Sequence, residues 1–298
     1  MQKTERLEYD LGQGRLSYQP GKRGIHITEY HGLANEVQVP EQIENTPVTV
    51  VEKKAFLSKK NLRRVILPVT VEEVGDWAFA YCDHLTEVAF AGEEVHLGRS
   101  VFLECGQLEF LRIAGKDDAT AALLAAAVTT AQAPYLLDLS EAGGSAWLAK
   151  WDARMLAILH SDDMEGYSRQ VLCGEEDYGS TDPGAYTGGR RRIKVRLALL
   201  RLLYDRDLSE SVRTELVDYL VSHRKGCESE ETWQVVLEEH GDDRAYYQLL
   251  TDLGCVTPEN FAGMLNDMGE EHPEMKAFLL RFQANELQQD DFFDSLDL

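Results

Sequence analysis

Cys82, Asp83 and His84 stand side by side in the stretch DWAFAYCDHLTEVAF, residues 76–90. A thiol, a carboxylate and an imidazole are the components of a nucleophilic site. Such a site needs the base within hydrogen-bond reach of the thiol and a third group to orient it. Neighbours along an extended corner do not converge in this way, and a free cysteine is more often a small buried apolar residue than a reactive one. The other cysteines, at 105, 173, 227 and 255, make an odd total with no C-x-x-C spacing. That favours neither a disulfide framework nor a zinc centre. The histidines are scattered, and none has metal-ligand spacing with another ligand type. There is no G-x-x-x-x-G-K-[ST] loop, G-x-G-x-x-G turn, H-E-x-x-H helix or G-x-S-x-G elbow. GGSAW puts Ser145 after two glycines, but no strand precedes it. No catalytic residue, metal ligand or cofactor is assigned, and the expectation is a non-enzyme.

The elements around the triplet explain it better than chemistry does. VEKKAFLSKKNLRRVIL from 51, VGDWAFAYCDHLTEVAF from 74 and LGRSVFLECGQLEFLRI from 97 align without a gap, one every 23 residues. Val51, Val74 and Leu97 share a column, as do Phe56, Phe79 and Phe102, and Leu62, Leu85 and Leu108. Two more columns hold Val65, Val88 and Leu111, and Leu67, Phe90 and Ile113. Each copy ends in L-x-x-V-x-L, whose period of two predicts a short strand. One copy cannot bury its apolar columns alone, so copies must stack as coils around a shared core. Cys82 falls in register with Lys59 and Cys105 at the coil corner, beside polar, variable neighbours. The residues of residues 76–90 that hold the stack are predicted to be Trp77, Phe79, Leu85, Val88 and Phe90. Upstream, GIHITEYHGLANEVQVPEQIENTPVTVVEKKAF reads as a leading strand pair and an irregular first coil that protects the open end.

The pattern V-T-x-(I/V)-x-x-x-A-F-x-x-C-x-x-L-x-x-V-x-(I/L)-P, carried by PVTVVEKKAF and VEEVGDWAFAYCDHLTEV, resembles the BspA-like family of bacterial leucine-rich repeats over roughly residues 24–115. Lys59 departs from it at the cysteine position. The resemblance implies a leucine-rich-repeat solenoid with a protein-binding role, in a family whose members are often surface or secreted proteins.

From residue 117 the period of two is lost. DDATAALLAAAVTTAQ and SAWLAKWDARMLAILH predict helices, the first opened by Asp117 and Asp118 and the second by Ser145. Trp147, Leu148, Trp151, Met155, Leu156 and Leu159 form the apolar stripe of the second. Glycine, proline and small polar residues predict a loop over 173–189, where Glu175, Glu176, Asp177 and Asp182 lack calcium-loop spacing. The run Arg190, Arg191, Arg192, Lys194 and Arg196 reads as a helix face that neutralises acidic neighbours, because no aromatic interleaving supports nucleic acid. Ser209, Ser229 and the pair Thr257–Pro258 predict three further helix starts, with Gly226, Gly241 and Gly269 as stops. A weak echo between VLEEHGDDRAYYQLL and MLNDMGEEHPEMKAFLL faintly resembles ankyrin-type helix pairs. The tail QQDDFFDSLDL combines acidic and apolar residues, as docking peptides do.

The chain of 298 residues carries a formal net charge of −22, unevenly spread, with −4 on residues 1–115 and −18 on residues 116–298. This argues against nucleic-acid or anionic-membrane partners and marks a boundary near residue 115. The expected fold class is α+β: a leucine-rich-repeat solenoid with capping strands over 1–115, then an acidic all-α helical-hairpin domain over 116–298. Five cysteines without pairing, no visible signal peptide and no long apolar run point to a reducing cytoplasm, the alternative being a secreted or surface protein from which a leader has been removed. Residues between the core columns of each strand are predicted to face outward as a partner-binding surface: Arg64 and Ile66, Glu87 and Ala89, Phe110 and Arg112. The partner is an unknown protein. The alternative is an enzyme or small-molecule binder with its site where solenoid and helices meet, near residues 173–182, using Cys173 and a histidine.

Overall fold

The computed structural model describes residues 7–168 and 182–287. The chain divides into two compact units between Arg154 and Met155. The first unit opens with strands β1 (Leu7–Asp10), β2 (Gly14–Pro20) and β3 (Ile25–Gly32). The solenoid strands follow: β4 (Glu36–Gln38), β5 (Gln42–Ile43), β6 (Thr46–Val51), β7 (Arg64–Leu67), β8 (Glu73–Val74), β9 (Glu87–Phe90), β10 (His96–Leu97) and β11 (Phe110–Ile113). They form two sheets, one ordered β1-β2-β3-β6-β8-β10 with β5 beside β6, the other β11-β9-β7-β4. β4, β7, β9 and β11 run parallel, the four rungs of a solenoid of about four turns. Val65, Val88 and Leu111 point inward beside Leu67, Phe90 and Ile113, and all six are buried. The first coil is covered by the antiparallel strands β1, β2 and β3, and β3 then pairs parallel to β6. The leading strand pair thus includes β2, upstream of Gly24.

Between the two sheets each coil runs through an arc with two non-glycine residues at positive φ: Lys54 and Ser58, Trp77 and Tyr81, Ser100 and Glu104. L-residues there cost roughly 1 kcal/mol each, so the stacked arcs must hold them. They do so with a backbone ladder. The N–H groups of Lys54, Phe56 and Ser58 donate to the carbonyls of Asp76, Ala78 and Ala80 at 3.1, 2.8 and 2.9 Å. Those of Trp77, Phe79 and Tyr81 donate to Arg99, Val101 and Leu103 at 3.0, 3.0 and 2.7 Å. Beneath the arcs Tyr30, Phe56, Phe79 and Phe102 stack with ring centroids 5.5, 5.0 and 5.7 Å apart. Phe79 belongs to this stack as predicted, but Trp77 does not. Its left-handed backbone turns the indole outward, 38% exposed, with the Lys54 ammonium 5.2 Å from the ring centre.

Helix α1 (Asp118–Thr129) packs on β11. Asp117 caps it by accepting the Thr120 N–H at 2.9 Å. A short turn (Pro134–Leu136) leads to α2 (Ser145–Leu159). Trp147 and Trp151 are buried as predicted, and their indoles donate to the carbonyls of Leu136 and Leu123 at 2.9 and 3.0 Å.

The second unit holds α3 (Pro183–Leu203), α4 (Glu210–Ser222), α5 (Glu231–Glu239), α6 (Arg244–Asp252), α7 (Pro258–Asp267) and α8 (Pro273–Phe282). α3 packs against α4, α5 and α6. The loop predicted over 173–189 is overturned at residues 183–189, while 173–181 lie outside the described residues. Asp182 accepts the N–H groups of Gly184 and Ala185 at 3.1 Å, Pro183 takes the first helical position, and residues 183–189 are helix. The cap and the helix-forming run downstream outweigh Gly184, Gly188 and Gly189. Ser209 and Thr257 cap α4 and α7, the latter in a capping box with Asn260. Ser229 does not cap α5. Glu230 stands there, its carboxylate turned to Lys225 and to the Gly226 N–H at 2.9 Å. Among the described residues no helix is long and apolar enough to cross a membrane.

Candidate interaction face

Period-two strands place every second side chain on the side away from the core, and parallel pairing stacks these side chains in columns. The register puts Glu36, Arg64, Glu87 and Phe110 in one column and Gln38, Ile66, Ala89 and Arg112 in the next. All six predicted face residues therefore lie on one surface. Glu36 and Gln38 extend it by a rung that the sequence reading missed, because β4 lies 28 residues before β7 and not one 23-residue period.

Charge alternates down the first column. Arg64 pairs with Glu36 at 3.6 Å and with Glu87 at 3.0 Å. Arg112 reaches diagonally to Glu87 at 3.2 Å and also pairs with Asp118. Partial burial opposes the charge of Arg112, but the hydrogen bonds to Asp118 and Glu87 outweigh it and raise its pKa. The same guanidinium lies 4.6 Å above the ring centre of Phe110, a cation–π contact. Phe110 is half-buried, covered on one face by its neighbour.

The Cys82–Asp83–His84 triplet diverges. The Cys82 thiol points inward and donates to the Phe56 carbonyl at 3.1 Å, with no exposed surface. Asp83 pairs with Lys60 on the preceding coil. His84 turns to Gln107 on the next, Nδ1 to Oε1 3.3 Å. Cys105 repeats the bond of Cys82 one coil later, to the Phe79 carbonyl at 3.1 Å. Burial pushes the Cys82 thiol up to about 11 and the Cys105 thiol up to about 12.

Residues 34–118 match the model of the BspA type leucine rich repeat region, in six copies. The solenoid is BspA-type. Solved structures similar to this chain include a leucine-rich repeat protein of T. pallidum, 30% identical, with 35% of this chain and 49% of that chain covered and a TM-score of 0.32. A leucine rich cell surface protein from Faecalibacterium prausnitzii is 23% identical over 37% of this chain and 32% of its own, with a TM-score of 0.31. A leucine-rich repeat protein from Bacteroides capillosus is 20% identical over 36% of this chain and 99% of its own, with a TM-score of 0.29. The match thus spans about half the length of the first of these chains. No curated protein matches the chain. Within the BspA-type coils, the corner cysteine acts as a thiol donor that closes the arc against the coil before it.

In the second unit the basic run is neutralised by acidic neighbours, as predicted. Arg191 and Lys194 bind Asp163 at 2.8 and 2.7 Å, while Arg192 and Arg196 bind Glu239 at 2.7 Å. Arg190 donates to the Ser161 hydroxyl at 2.8 Å. Cys173, Glu175, Glu176, Asp177 and the acidic tail with Phe292, Phe293, Leu296 and Leu298 lie outside the described residues. Among the described residues no group of three or more potential ligands is arranged to hold a metal ion. The sequence reading also missed the exposed apolar strip on the arcs, Trp77, Tyr81 and Leu103. Its only signal was that all three fall outside the five conserved-spacing apolar columns.

Proposed function

We propose that this chain is a non-enzymatic protein-interaction module that binds a protein partner through the face of β4, β7, β9 and β11. The observation that carries this reading is the Phe110–Arg112 pair at the end of an alternating charged column. Aromatic and arginine side chains dominate binding hot spots, and here a rigid parallel sheet presents both. Part-exposed ion pairs such as Glu36–Arg64 contribute only about 0–1 kcal/mol each, so a partner's charges can replace them at little cost. A partner of mixed charge with an apolar contact for Phe110 fits this face. The BspA-type repeat and the divergence of Cys82, Asp83 and His84 support an interaction role over catalysis.

The test is affinity capture from native lysate with full-length protein and with a full-length Arg64→Ala/Phe110→Ser variant. One specific partner should be retained by the parent and lost by the variant, while the variant melts within a few degrees of the parent. Retention of the partner by the variant at parental level would move binding off this face.

A further inference from the structure

We infer that the last arc of the solenoid, Arg99–Glu104, is a docking edge for an extended polypeptide segment of a partner protein. The ladder described above gives each arc three outward N–H donors at alternate residues, taken up by the carbonyls of the following arc. Ser100, Phe102 and Glu104 occupy the columns of Trp77, Phe79 and Tyr81. No further coil follows them, and among the described residues their N–H groups meet no acceptor.

Helix α1 covers the β11 side of this terminal coil but leaves the arc open. A cleft of ≈ 910 Å³ runs along it, with Ser100, Phe102 and Glu104 on one wall and Val128, Thr129, Pro134 and Leu137 on the other. Unpaired strand-like edges recruit backbone, and a neighbouring strand sits about 4.8 Å away. The electrostatic complement of three N–H dipoles at alternate residues is a row of carbonyl oxygens at alternate residues. An extended backbone supplies that row, with an apolar side chain to meet Val128, Pro134 and Leu137. Leu103, 40% exposed, continues the apolar surface toward Tyr81 and Trp77 on the preceding coil. The Arg99 guanidinium, 89% exposed and 3.5 Å from Asp76, is placed to receive a carboxylate at the end of the segment.

A second copy of this chain does not fit the edge. At the far end of the solenoid the Ala55 carbonyl already accepts the Tyr30 N–H at 2.8 Å, and β1, β2 and β3 cover the first coil. A head-to-tail copy would therefore find the central acceptor of the first arc already taken.

The arc that the ladder itself selects provides the probe: a blocked synthetic peptide of residues 73–84 carrying Cys82→Ser. Hydrogen exchange of full-length protein, read by mass spectrometry, should slow by about tenfold in the segment 99–105 at saturating peptide. Esters in place of the amides that follow Asp76, Ala78 and Ala80 weaken those acceptors, and should weaken binding several-fold. Val128→Glu should do the same, whereas Phe110→Ala should leave peptide binding unchanged, which separates this edge from the sheet face. Absence of protection at 99–105, or equal protection by the ester peptide, would overturn the assignment. Protection that grows with protein concentration alone would instead assign the edge to a second copy.

Discussion

The Cys82 thiol hydrogen-bonds to a carbonyl that lies 26 residues back in the chain, and Cys105 does the same one coil later. A buried sulfur held this way is a packing group, and its reactivity follows from its surroundings. With the thiols of Cys82, Cys105 and Cys255 raised to about 11, 12 and 12 from 9.0, native protein in a Cys173→Ser background should react with Ellman's reagent at neutral pH only through the half-exposed Cys227. Denaturant should release three further thiols. The same shifts fix the alkaline behaviour. A group whose folded pKa is raised contributes stability that is complete below the unfolded value and is lost as pH rises through the folded one. Melting temperature should therefore fall on going from pH 9 to 11, and less steeply in Cys82→Ala/Cys105→Ala; equal slopes would refute the link. The burial of Cys82 was legible from its column. Its bond to the Phe56 carbonyl was not, because a 23-residue period says which residues stack and not which backbone groups the corner meets. Trp77 was misread for a related reason, since a left-handed residue reverses the direction that an apolar side chain would otherwise take.

Among the elements, the arcs set the spacing of the coils. A Cβ added at Gly75 would lie 2.5 Å from the Lys53 nitrogen, and one at Gly98 would lie 2.6 Å from the Asp76 nitrogen. Neither position has room for a side chain. Gly75→Ala should cost roughly 1–3 kcal/mol in denaturant unfolding, as overpacking does. Ser58 offers the opposite change. Its φ of +57° suits glycine, so Ser58→Gly should stabilise by up to about 1 kcal/mol. A destabilised Ser58→Gly would mean that its side chain matters more than its backbone. Strands β7, β9 and β11 were readable because their apolar columns repeat without a gap. β4 and the Tyr30 end of the aromatic stack were not, since both sit off that period. Helix α3 shows a different limit: glycine content argued for loop, while one aspartate and one proline at the right positions were enough to start a helix.

Over the whole molecule, the charge imbalance of the second unit is organised by a few cations. Burial raises the carboxyls of Asp163 and Glu239, but Lys194 with Arg191, and Arg196 with Arg192, outweigh it and hold both below their ordinary values of 3.8 and 4.5. A depressed folded pKa gives stability that is present above the unfolded value and lost as pH falls through the folded one. Asp163→Asn should cost about 2 kcal/mol at neutral pH, because Lys194 is left buried with one acceptor fewer. It should also flatten the acid limb of a thermal-stability profile below pH 3.8, the ordinary value of that carboxyl. An unchanged acid limb would place the sensitive carboxylates elsewhere. The division into a repeat half and a helical half was visible in the change from period two to helix-cap punctuation. That α1, the Pro134–Leu136 turn and the start of α2 pack within the first unit was not visible, because compactness depends on contacts distant in sequence.

The gapless ladder also fixes how a chain of this kind can lengthen. Each arc donates 22 residues ahead and repeats after 23, so inserting one whole copy between neighbouring coils preserves every bond, every stacked ring and both glycine contacts. Inserting a number of residues that is not a multiple of 23 takes the phenylalanine column and the ladder out of register. Growth by duplication is therefore quantised: the reach of the sheet face increases in steps of one strand spacing, about 4.8 Å, while its chemistry can be rewritten two residues at a time.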